Sequence, residues 1–156
     1  MKTAKQKKAK SKPNNTLIGI IGEYSVAAEL SKRGFTASLT LKNSEAVDIL
    51  VVAENTHKLL GIQVKTRTFN INKWVLNEKN ENLYADNLYY VFVKLNNEQN
   101  PYEYYIIPSE IVAKIVKEKY EQWIKKTGKK PGKGMRFFKD EYIENKYLNN
   151  WDLLKG

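Results

Sequence analysis

The sequence predicts a single α/β domain in which a mixed sheet of about five strands is flanked by helices. Its 156 residues fit one domain, and apolar residues make up 42% of them, which suffices for an ordinary core. The spacing of the apolar residues also changes along the chain. Helical spacing near the N-terminus gives way to short β-rich runs and returns toward the C-terminus, which is typical of an α/β fold.

The first predicted element is a helix that starts after Thr16 and stops before Gly34. Thr16 is a favourable N-cap, and Gly34 suits the left-handed position that follows many helices. Three strands are predicted next, at 36–42, 46–53 and 58–67. The apolar stripe of the helix consists of Leu17, Ile20, Ile21, Tyr24, Ala27 and Ala28.

The middle of the chain predicts a polar connection followed by two further strands. The connection holds Trp74, which suits either a buried position or stacking on a nucleic-acid base, with the buried position favoured. The run 87–95 is apolar and rich in β-formers, as a central strand would be, and 102–107 is a second strand. The aromatic residues expected in the core are Tyr89, Tyr90, Phe92, Tyr104 and Tyr105.

The last third predicts two helices joined by a loop. A helix starts at 108–110, a flexible basic loop covers 127–134, and a short helix runs from about 140 to 154. The first of these helices is predicted to bury Ile111, Ile115, Tyr120 and Trp123. The second is predicted to dock through Tyr147, Trp151 and Leu154.

Charge is concentrated in two segments. The 27 Lys and Arg residues exceed the 17 Asp and Glu residues by ten, and residues 1–12 alone hold six lysines and no acid. Residues 113–139 hold ten basic side chains against two acidic ones. We interpret residues 1–15 as a disordered basic arm and residues 16–156 as one domain with a C-terminal helical extension. A basic balance favours a polyanionic partner, although lysine runs also serve solubility.

Composition excludes several classes of site. The chain has no cysteine and a single histidine, His57, so disulfide scaffolds, thiol nucleophiles and multi-histidine metal sites are excluded. No apolar run is long enough to cross a membrane, and the lysine-rich start lacks the apolar stretch of a secretory signal. The expectation is a cytoplasmic protein without a membrane partner.

Two carboxylates stand out among apolar neighbours. Glu23 lies at the border of the helical stripe, where it would be partly dehydrated and would face the sheet. Asp48 lies inside the apolar strand run VDILVV, where a charge is costly unless it is paired or binds a metal. A solvated helix edge for Glu23 and a strand-end turn for Asp48 are the alternative interpretations.

A pairing argument brings Asp48 next to two more polar residues. If residues 54–57 form a hairpin turn centred between Asn55 and Thr56, paired residues have numbers that sum to 111. Asp48 then lies opposite Gln63, and Lys65 lies one step along the same face. A solvated sheet face is the alternative explanation for this polar pair.

The convergence of these groups suits metal-assisted hydrolysis of a phosphodiester. Asp48, the Gln63 side-chain oxygen and the Val64 backbone carbonyl are hard oxygen ligands for Mg²⁺ or Mn²⁺, and Glu23 is predicted to hold the metal through water. The metal would polarise a phosphoryl oxygen and activate a water. Lys65 would orient that water or stabilise the developing negative charge.

At these residues the sequence resembles the PD-(D/E)XK nuclease superfamily, which has the restriction-endonuclease-like fold. The resemblance covers about residues 16–107 and rests on Glu23 in a Gly-Glu-x-x-x-Ala-Ala-x-Leu helix, on Asp48 and on the Gln63-Val64-Lys65 triplet. Holliday-junction-resolvase-like and small bacterial endonuclease-like proteins are the branches it suggests. It implies a three-layer core, catalytic roles for Glu23, Asp48, Gln63 and Lys65, and a divalent metal.

The sequence departs from the superfamily pattern in three places. Gln63 replaces the commoner glutamate and removes one ligand charge, as in branches with a Q-x-K triplet. Val47 stands where many members have proline. The segment 78–86 leaves room for at most a short helix, although the superfamily core places a helix between its third and fourth strands.

The resemblance implies an endonuclease that cleaves DNA with Mg²⁺ or Mn²⁺, with branched or otherwise structured DNA among its expected substrates. A nuclease-fold module that binds nucleic acid without cleaving it is the alternative, and an assembly protein that uses the basic arm is a third. A homodimer is an assembly that the sequence allows. The predicted DNA contacts are Thr66, Arg67, Lys125, Lys126, Lys129, Lys130, Lys133 and Arg136.

Overall fold

The structure is a computed structural model that describes residues 13–41, 47–53, 57–97, 99–129 and 132–155. The elements are α1 (Asn15–Lys32), β1 (Phe35–Leu39), β2 (Ile49–Ala53), β3 (Lys58–Thr68), β4 (Lys73–Asn77), β5 (Leu88–Leu95), β6 (Glu103–Pro108), α2 (Ser109–Thr127) and β7 (Met135–Lys139). Five strands form one mixed sheet in the order β1-β2-β3-β5-β6, and β4 pairs with β7 as a separate two-stranded ribbon. Four short 3-10 turns complete the fold: Glu78–Glu81, Asp140–Tyr142, Asn145–Tyr147 and Trp151–Leu154.

The N-cap of helix α1 lies two residues before the predicted cap, Thr16. Asn14 is the N-cap, and its side chain accepts a hydrogen bond from the Leu17 N–H at 2.9 Å. Thr16 therefore lies inside the first turn, because Asn caps at least as well as Thr and comes first in the chain. The predicted end is confirmed, since Gly34 follows the helix with a φ of 80°.

The register that the hairpin argument predicts is confirmed. β2 and β3 are antiparallel, with Ile49 opposite Ile62 and Ala53 opposite Lys58. β3 then pairs in parallel with β5, where Gln63 lies beside Tyr90. β3 is the middle strand of the sheet, and β5 lies next to it with both of its faces covered.

The sheet separates two apolar cores, which gives the predicted three-layer arrangement. On one face α1 packs through Val26 and Leu30 against Ile62, Val64 and their neighbours. On the other face, α2 and the ribbon cover the alternate side chains of β5 and β6. That second core consists of Trp74, Leu76, Tyr90, Phe92, Ile107, Val112, Val116, Phe138 and Tyr147.

Helix α1 approaches β3 most closely at Gly22. A Cβ atom at this position would lie 1.8 Å from the Thr66 hydroxyl oxygen, which is far inside van der Waals contact. Only glycine permits this approach, so Gly22 sets the height of α1 above the sheet. It therefore also sets how close the next residue, Glu23, lies to the sheet.

The ribbon is absent from the sequence prediction, which describes 68–86 as a polar connection. Trp74 and Leu76 point into the core while Val75 stays exposed, so β4 does alternate, but over five residues only. Trp74 occupies the buried position that was favoured for it, and its indole N–H donates to the Val93 carbonyl at 3.1 Å. Its partner β7 covers 135–139, which lies between the loop predicted at 127–134 and the helix predicted from about 140.

The predicted C-terminal helix is wrong. Residues 140–154 instead form three 3-10 turns, and Leu148 makes an isolated bridge with Tyr105 of β6. Asn149 has a positive φ of 51°, which breaks helical continuity. The predicted docking side chains are nevertheless buried: Tyr147, Trp151 and Leu154.

The predicted inner face of α2 is confirmed in part, because Ile111 and Ile115 are half-buried against the second core. Its buried side chains include Val112 and Val116, while Trp123 is 42% exposed. Residues 121–128 are exposed except for Ile124, so the end of α2 adds little to the main core. Gly128 ends the helix in the left-handed conformation. No helix among the described ranges is long and apolar enough to cross a membrane.

An acid on β6 makes stability depend on pH. Burial alone would raise the pKa of Glu103, but hydrogen bonds from Lys94, Tyr105 and Asn96 outweigh it and lower that pKa below its ordinary value of 4.5. Above pH 4.5 the contribution of Glu103 to stability is complete. Below it the unfolded state binds the proton first, so the contribution is lost as pH falls through the folded pKa.

We therefore expect Glu103→Gln to lower the free energy of unfolding by about 1 kcal/mol at neutral pH. Its penalty relative to the wild type should shrink as pH falls below 4.5. Urea titrations at several pH values measure this difference. Glu141→Gln is the control, because Glu141 is exposed and its ion pair with Lys139 lies at the surface. An equal penalty for Glu103→Gln at every pH would contradict the assignment.

Candidate active site

Asp48 and Gln63 meet where β2 begins. Asp48 directly precedes β2, and its carboxylate oxygen Oδ2 accepts a hydrogen bond from the Val64 N–H at 2.7 Å. The Gln63 side-chain amide donates to the same oxygen. The structure thus brings these predicted site residues together. Among the described residues neither bond uses Oδ1, which leaves that oxygen for a cation.

The backbone of β3 directs a further oxygen to this point. Successive residues of a strand present their N–H and C=O groups to opposite edges. Gly61 donates to Asn87 on the β5 side, whereas the Ile62 carbonyl accepts from the Asp48 N–H on the β2 side. Val64 has the same parity as Ile62, so its carbonyl leaves the edge where Asp48 lies.

Lys65 lies on the same face of β3 as Gln63 and is half-buried. Burial lowers the pKa of its ammonium, while the negative charges of Asp48 and Glu23 raise that pKa in part. Burial also raises the pKa of Asp48, against the opposing effects of the Val64 N–H and the Lys65 charge. Each charge is therefore costly to bury and is stabilised by the other.

Glu23 comes from the opposite layer and still acts on this group. It is half-buried on α1, and its charge is felt at Lys65. The close contact of Gly22 with Thr66 holds this turn of the helix against β3. The four predicted catalytic residues are thus linked: Gln63 is hydrogen-bonded to Asp48, and the charges of Asp48 and Glu23 both act on Lys65.

Two residues that the sequence did not single out for the site support it from the α2 side. Tyr90 lies beside Gln63 on β5, and its hydroxyl accepts a hydrogen bond of 2.7 Å from the Asn80 side chain. Burial raises the pKa of Tyr90, the hydrogen bond from Asn80 opposes this, and the charge of Asp48 adds to it. Asn80 is held in turn by its side-chain bond from the Asn77 N–H. The Asn-x-x-Asn spacing of that capping box is the signal in the sequence.

The donor set fits a magnesium or manganese ion. Hard divalent cations bind oxygen, and Mg²⁺ is commonly held by one or two carboxylates while it keeps several waters. Within the described residues no three histidine, cysteine, aspartate or glutamate side chains cluster as a metal group. The candidate ligands are therefore Asp48, the neutral oxygens of Gln63 and Val64, and Glu23 through water.

Arg67 does not fit the predicted DNA contact. Its side chain is 3% exposed, and its guanidinium makes two 2.6 Å bonds to the carboxylate of Asp140. It also donates to the Ile71 carbonyl and lies 4.3 Å from the ring centre of Trp74. Arg67 therefore ties β3 to the 3-10 turn after β7 and is not available to a phosphate.

Thr66 and Arg136 are corrected in the same way. Thr66 points toward α1, and its buried hydroxyl oxygen has no hydrogen-bond partner among the described residues. Arg136 is 5% exposed, bonds to Glu81 and packs 3.3 Å from the ring centre of Tyr120. Each faces an interior surface, because the alternation of its strand turns it away from solvent.

Four of the predicted lysine contacts are exposed. Lys125 and Lys126 end α2, Lys129 follows Gly128, and Lys133 precedes β7. Lys130 lies outside the described residues. These lysines occupy one end of the molecule and remain candidates for phosphate contacts.

Arg67 is buried and Lys125 is exposed, so we expect opposite effects when each is replaced by methionine. Arg67→Met should lower the free energy of unfolding by about 2–3 kcal/mol, because it leaves Asp140 and the Ile71 carbonyl without their donor. Lys125→Met should leave stability within about 0.5 kcal/mol and reduce the salt dependence of DNA binding. Urea denaturation and binding titrations at several salt concentrations measure both variants. A change in that salt dependence for folded Arg67→Met would contradict the assignment.

Comparison with solved structures found two that are similar to this chain. A bacterial homing endonuclease, I-Ssp6803I, superposes with a TM-score of 0.50 at 14% identity and covers 92% of this chain and 95% of its own. An archaeal Holliday junction resolvase, Hjc of Archaeoglobus fulgidus, gives a TM-score of 0.48 at 14% identity over 82% of this chain and 92% of its own. No protein-family model and no curated protein sequence matches the chain. The chain has the restriction-endonuclease-like fold.

Proposed function

We propose that this protein is a metal-dependent endonuclease that hydrolyses DNA phosphodiester bonds. One observation carries the proposal: Asp48, Gln63, Lys65 and Glu23 come from three elements and form a single half-buried group of acids, amide and lysine. Perturbed acids and lysines that converge in this way are typical of active sites. The fold adds support, because a solved structure with a similar fold is that of a homing endonuclease.

Each residue has a role in the proposed reaction. A bound Mg²⁺ or Mn²⁺ would supply Lewis-acid stabilisation of the charge on the phosphoryl group. Asp48, just before β2, and Gln63 on β3 would hold that ion. Lys65 would donate a hydrogen bond to the attacking water or to a phosphoryl oxygen that gains charge. Water attacks phosphorus, the bond to the leaving oxygen breaks, and that oxygen takes up a proton.

The proposed substrate contacts are the exposed lysines of the α2 end. Lys125, Lys126, Lys129 and Lys133 can bind DNA phosphates whatever the base sequence. Lys130 and the lysines of residues 1–12 add to the net positive charge of the protein. Branched DNA is among the substrates that we propose to test first. Cutting both strands of a duplex requires two sites, so we also propose a homodimer as the acting form.

One observation favours a second candidate, a binding module without catalysis. The Gln63 amide donates to the carboxylate that would bind the metal, and Gln63 lacks the charge of a glutamate. A weaker ligand set lowers metal affinity. In that case DNA binding would persist while hydrolysis is absent.

The test is cleavage of supercoiled plasmid, a four-way junction and single-stranded DNA with Mg²⁺, with Mn²⁺ and with EDTA. We expect nicked or linear products with metal and none with EDTA. Gln63→Glu serves as a gain-of-ligand variant that should raise activity at low metal concentration. Absence of cleavage on all three substrates by both proteins, with binding retained, would establish the binding module instead.

A further inference from the structure

An aromatic groove lies between the outer end of α2 and β7. We call it the α2–β7 groove; its volume is about 210 Å³. Its apolar lining includes Tyr120 and Trp123 from α2, Met135 and Phe137 from β7, and Tyr142 from the turn that follows. Trp123 is 42% exposed and Met135 is 66% exposed. Exposed rings grouped in a concave surface mark a binding site more often than single exposed apolar residues do.

The groove is positively charged. Lys119, Arg136 and Lys139 line it, and no acid is among its described lining residues. Glu141 pairs with Lys139 at 3.3 Å and Glu81 is bonded to the buried Arg136, so two of the three charges are partly offset and Lys119 contributes most of the remaining charge. A groove of rings and cations without acids fits an anionic ligand that carries flat groups.

Cations already lie over the exposed rings. Lys129 lies 5.2 Å from the ring centre of Trp123, Lys119 lies 4.9 Å from that of Tyr142, and Lys73 lies 4.2 Å from that of Phe137. Each of these positions is one that a stacked base could occupy while the flexible lysine moves to the adjoining phosphate.

Arg136 fixes the ring of Tyr120 on one side of the groove. The buried Arg136 packs 3.3 Å from the ring centre of Tyr120 and is bonded to Glu81. Tyr120 and Trp123 stack with ring centres 5.8 Å apart and planes 24° apart. A preorganised pair of rings loses little conformational entropy when a third ring stacks on it.

The groove is also connected to the candidate active site. Glu81, which holds Arg136, directly follows Asn80 in the same 3-10 turn, and Asn80 donates to Tyr90 beside Gln63. The layer that forms the groove is therefore the layer that covers the Gln63 face of the sheet.

We propose that the α2–β7 groove binds unpaired bases of a single-stranded nucleic-acid segment, by stacking on Trp123 and Phe137 while lysines contact the flanking phosphates. This deepens the proposed function, because it assigns DNA with an unpaired stretch as the favoured substrate class. Bases inside a duplex are stacked on one another and cannot enter such a groove. An anionic membrane is the less suitable partner, because insertion requires rings that protrude and these rings line a concavity.

The fluorescence of Trp123 provides a direct readout. Trp74 and Trp151 are buried, so Trp123 is the tryptophan that a bound base can quench. We expect short oligothymidylate to quench it in EDTA, where no hydrolysis occurs, and a duplex of equal length to quench it much less. Trp123→Ala should weaken binding of labelled oligothymidylate fivefold or more, given about 1–3 kcal/mol per stacked base. Phe137→Ala should weaken it similarly.

Leu59→Ala is the matched control, because Leu59 is an exposed apolar residue of β3 outside the groove. It should leave binding unchanged, and circular dichroism should show all three variants folded. Equal quenching by duplex, unchanged binding in folded Trp123→Ala and Phe137→Ala, or equally strong quenching by phosphatidylserine vesicles would each overturn the proposal. Quenching by oligothymidylate without any cleavage would refute the nuclease and leave the groove assignment standing. Cleavage without quenching would do the reverse.

Discussion

Asp48→Asn is expected to reduce DNA cleavage about a thousandfold or more while the protein stays folded and still binds DNA. The substitution removes the negative charge from the position where the candidate ligands converge. It retains an oxygen that can accept from the Val64 N–H, the bond that fixes the Asp48 side chain at 2.7 Å. The loss therefore reports the charge of Asp48 and not the hydrogen bond.

The measurement is plasmid nicking over a range of Mn²⁺ concentrations, beside a DNA-binding titration in EDTA. Asp152→Asn is the matched control, because Asp152 is an exposed acid that pairs with Lys155 and lies far from Asp48 in the sequence. It should cleave at the wild-type rate. If Asp48→Asn cleaves as fast as Asp152→Asn, Asp48 is not a metal ligand and the proposed site is refuted.

Gly22→Ala is expected to lower the free energy of unfolding by about 2–3 kcal/mol, because a methyl group at this position collides with β3. The built Cβ lies 1.8 Å from the Thr66 hydroxyl oxygen and 2.9 Å from its Cβ. The helix must move away from the sheet to relieve both contacts. Since Glu23 is the next residue, we also expect cleavage to fall in the fraction that remains folded.

Gly19→Ala is the control on the same helix. Nothing lies within 4 Å of a Cβ at Gly19, so alanine there should stabilise the protein by about 0.5–1 kcal/mol through helix propensity. Thr66→Ala removes the closest atom and should recover part of the loss in the double variant. Thermal and urea unfolding of the wild type, Gly22→Ala, Thr66→Ala and the double variant measure this cycle, and Gly19→Ala is measured beside them. A Gly22→Ala protein as stable as Gly19→Ala would contradict the close approach.

The part of the site that could be predicted depends on local rules. The Asp48–Gln63 pairing needs only the position of one hairpin turn and the two-residue period of a strand, and both can be obtained from the sequence. The border position of Glu23 needs only the helical period. These residues lie in the first half of the chain, where consecutive elements are neighbours in the fold.

The part that could not be predicted depends on distant partners. Arg67 bonds to Asp140, 73 positions away, and Arg136 bonds to Glu81, 55 positions away. A basic residue beside a candidate catalytic lysine has the same local pattern whether it faces DNA or a buried acid. The five-residue strands of the ribbon likewise acquire their alternation only when each lies against the other and the core.

The ribbon also sets an order of assembly. Its strands, 73–77 and 135–139, are joined by the chain that forms β5, β6 and α2, whereas β2 and β3 are joined by a short turn. Closing the longer loop costs more chain entropy before any contact compensates for it. We expect the β2–β3 hairpin, with its Asp48–Gln63 pair, to form early and the ribbon to form last. Pulse-labelled amide exchange during refolding should therefore protect Ile62 before Leu76, whose N–H faces β7 in the ribbon. The candidate active site would then form before the groove that would hold its substrate.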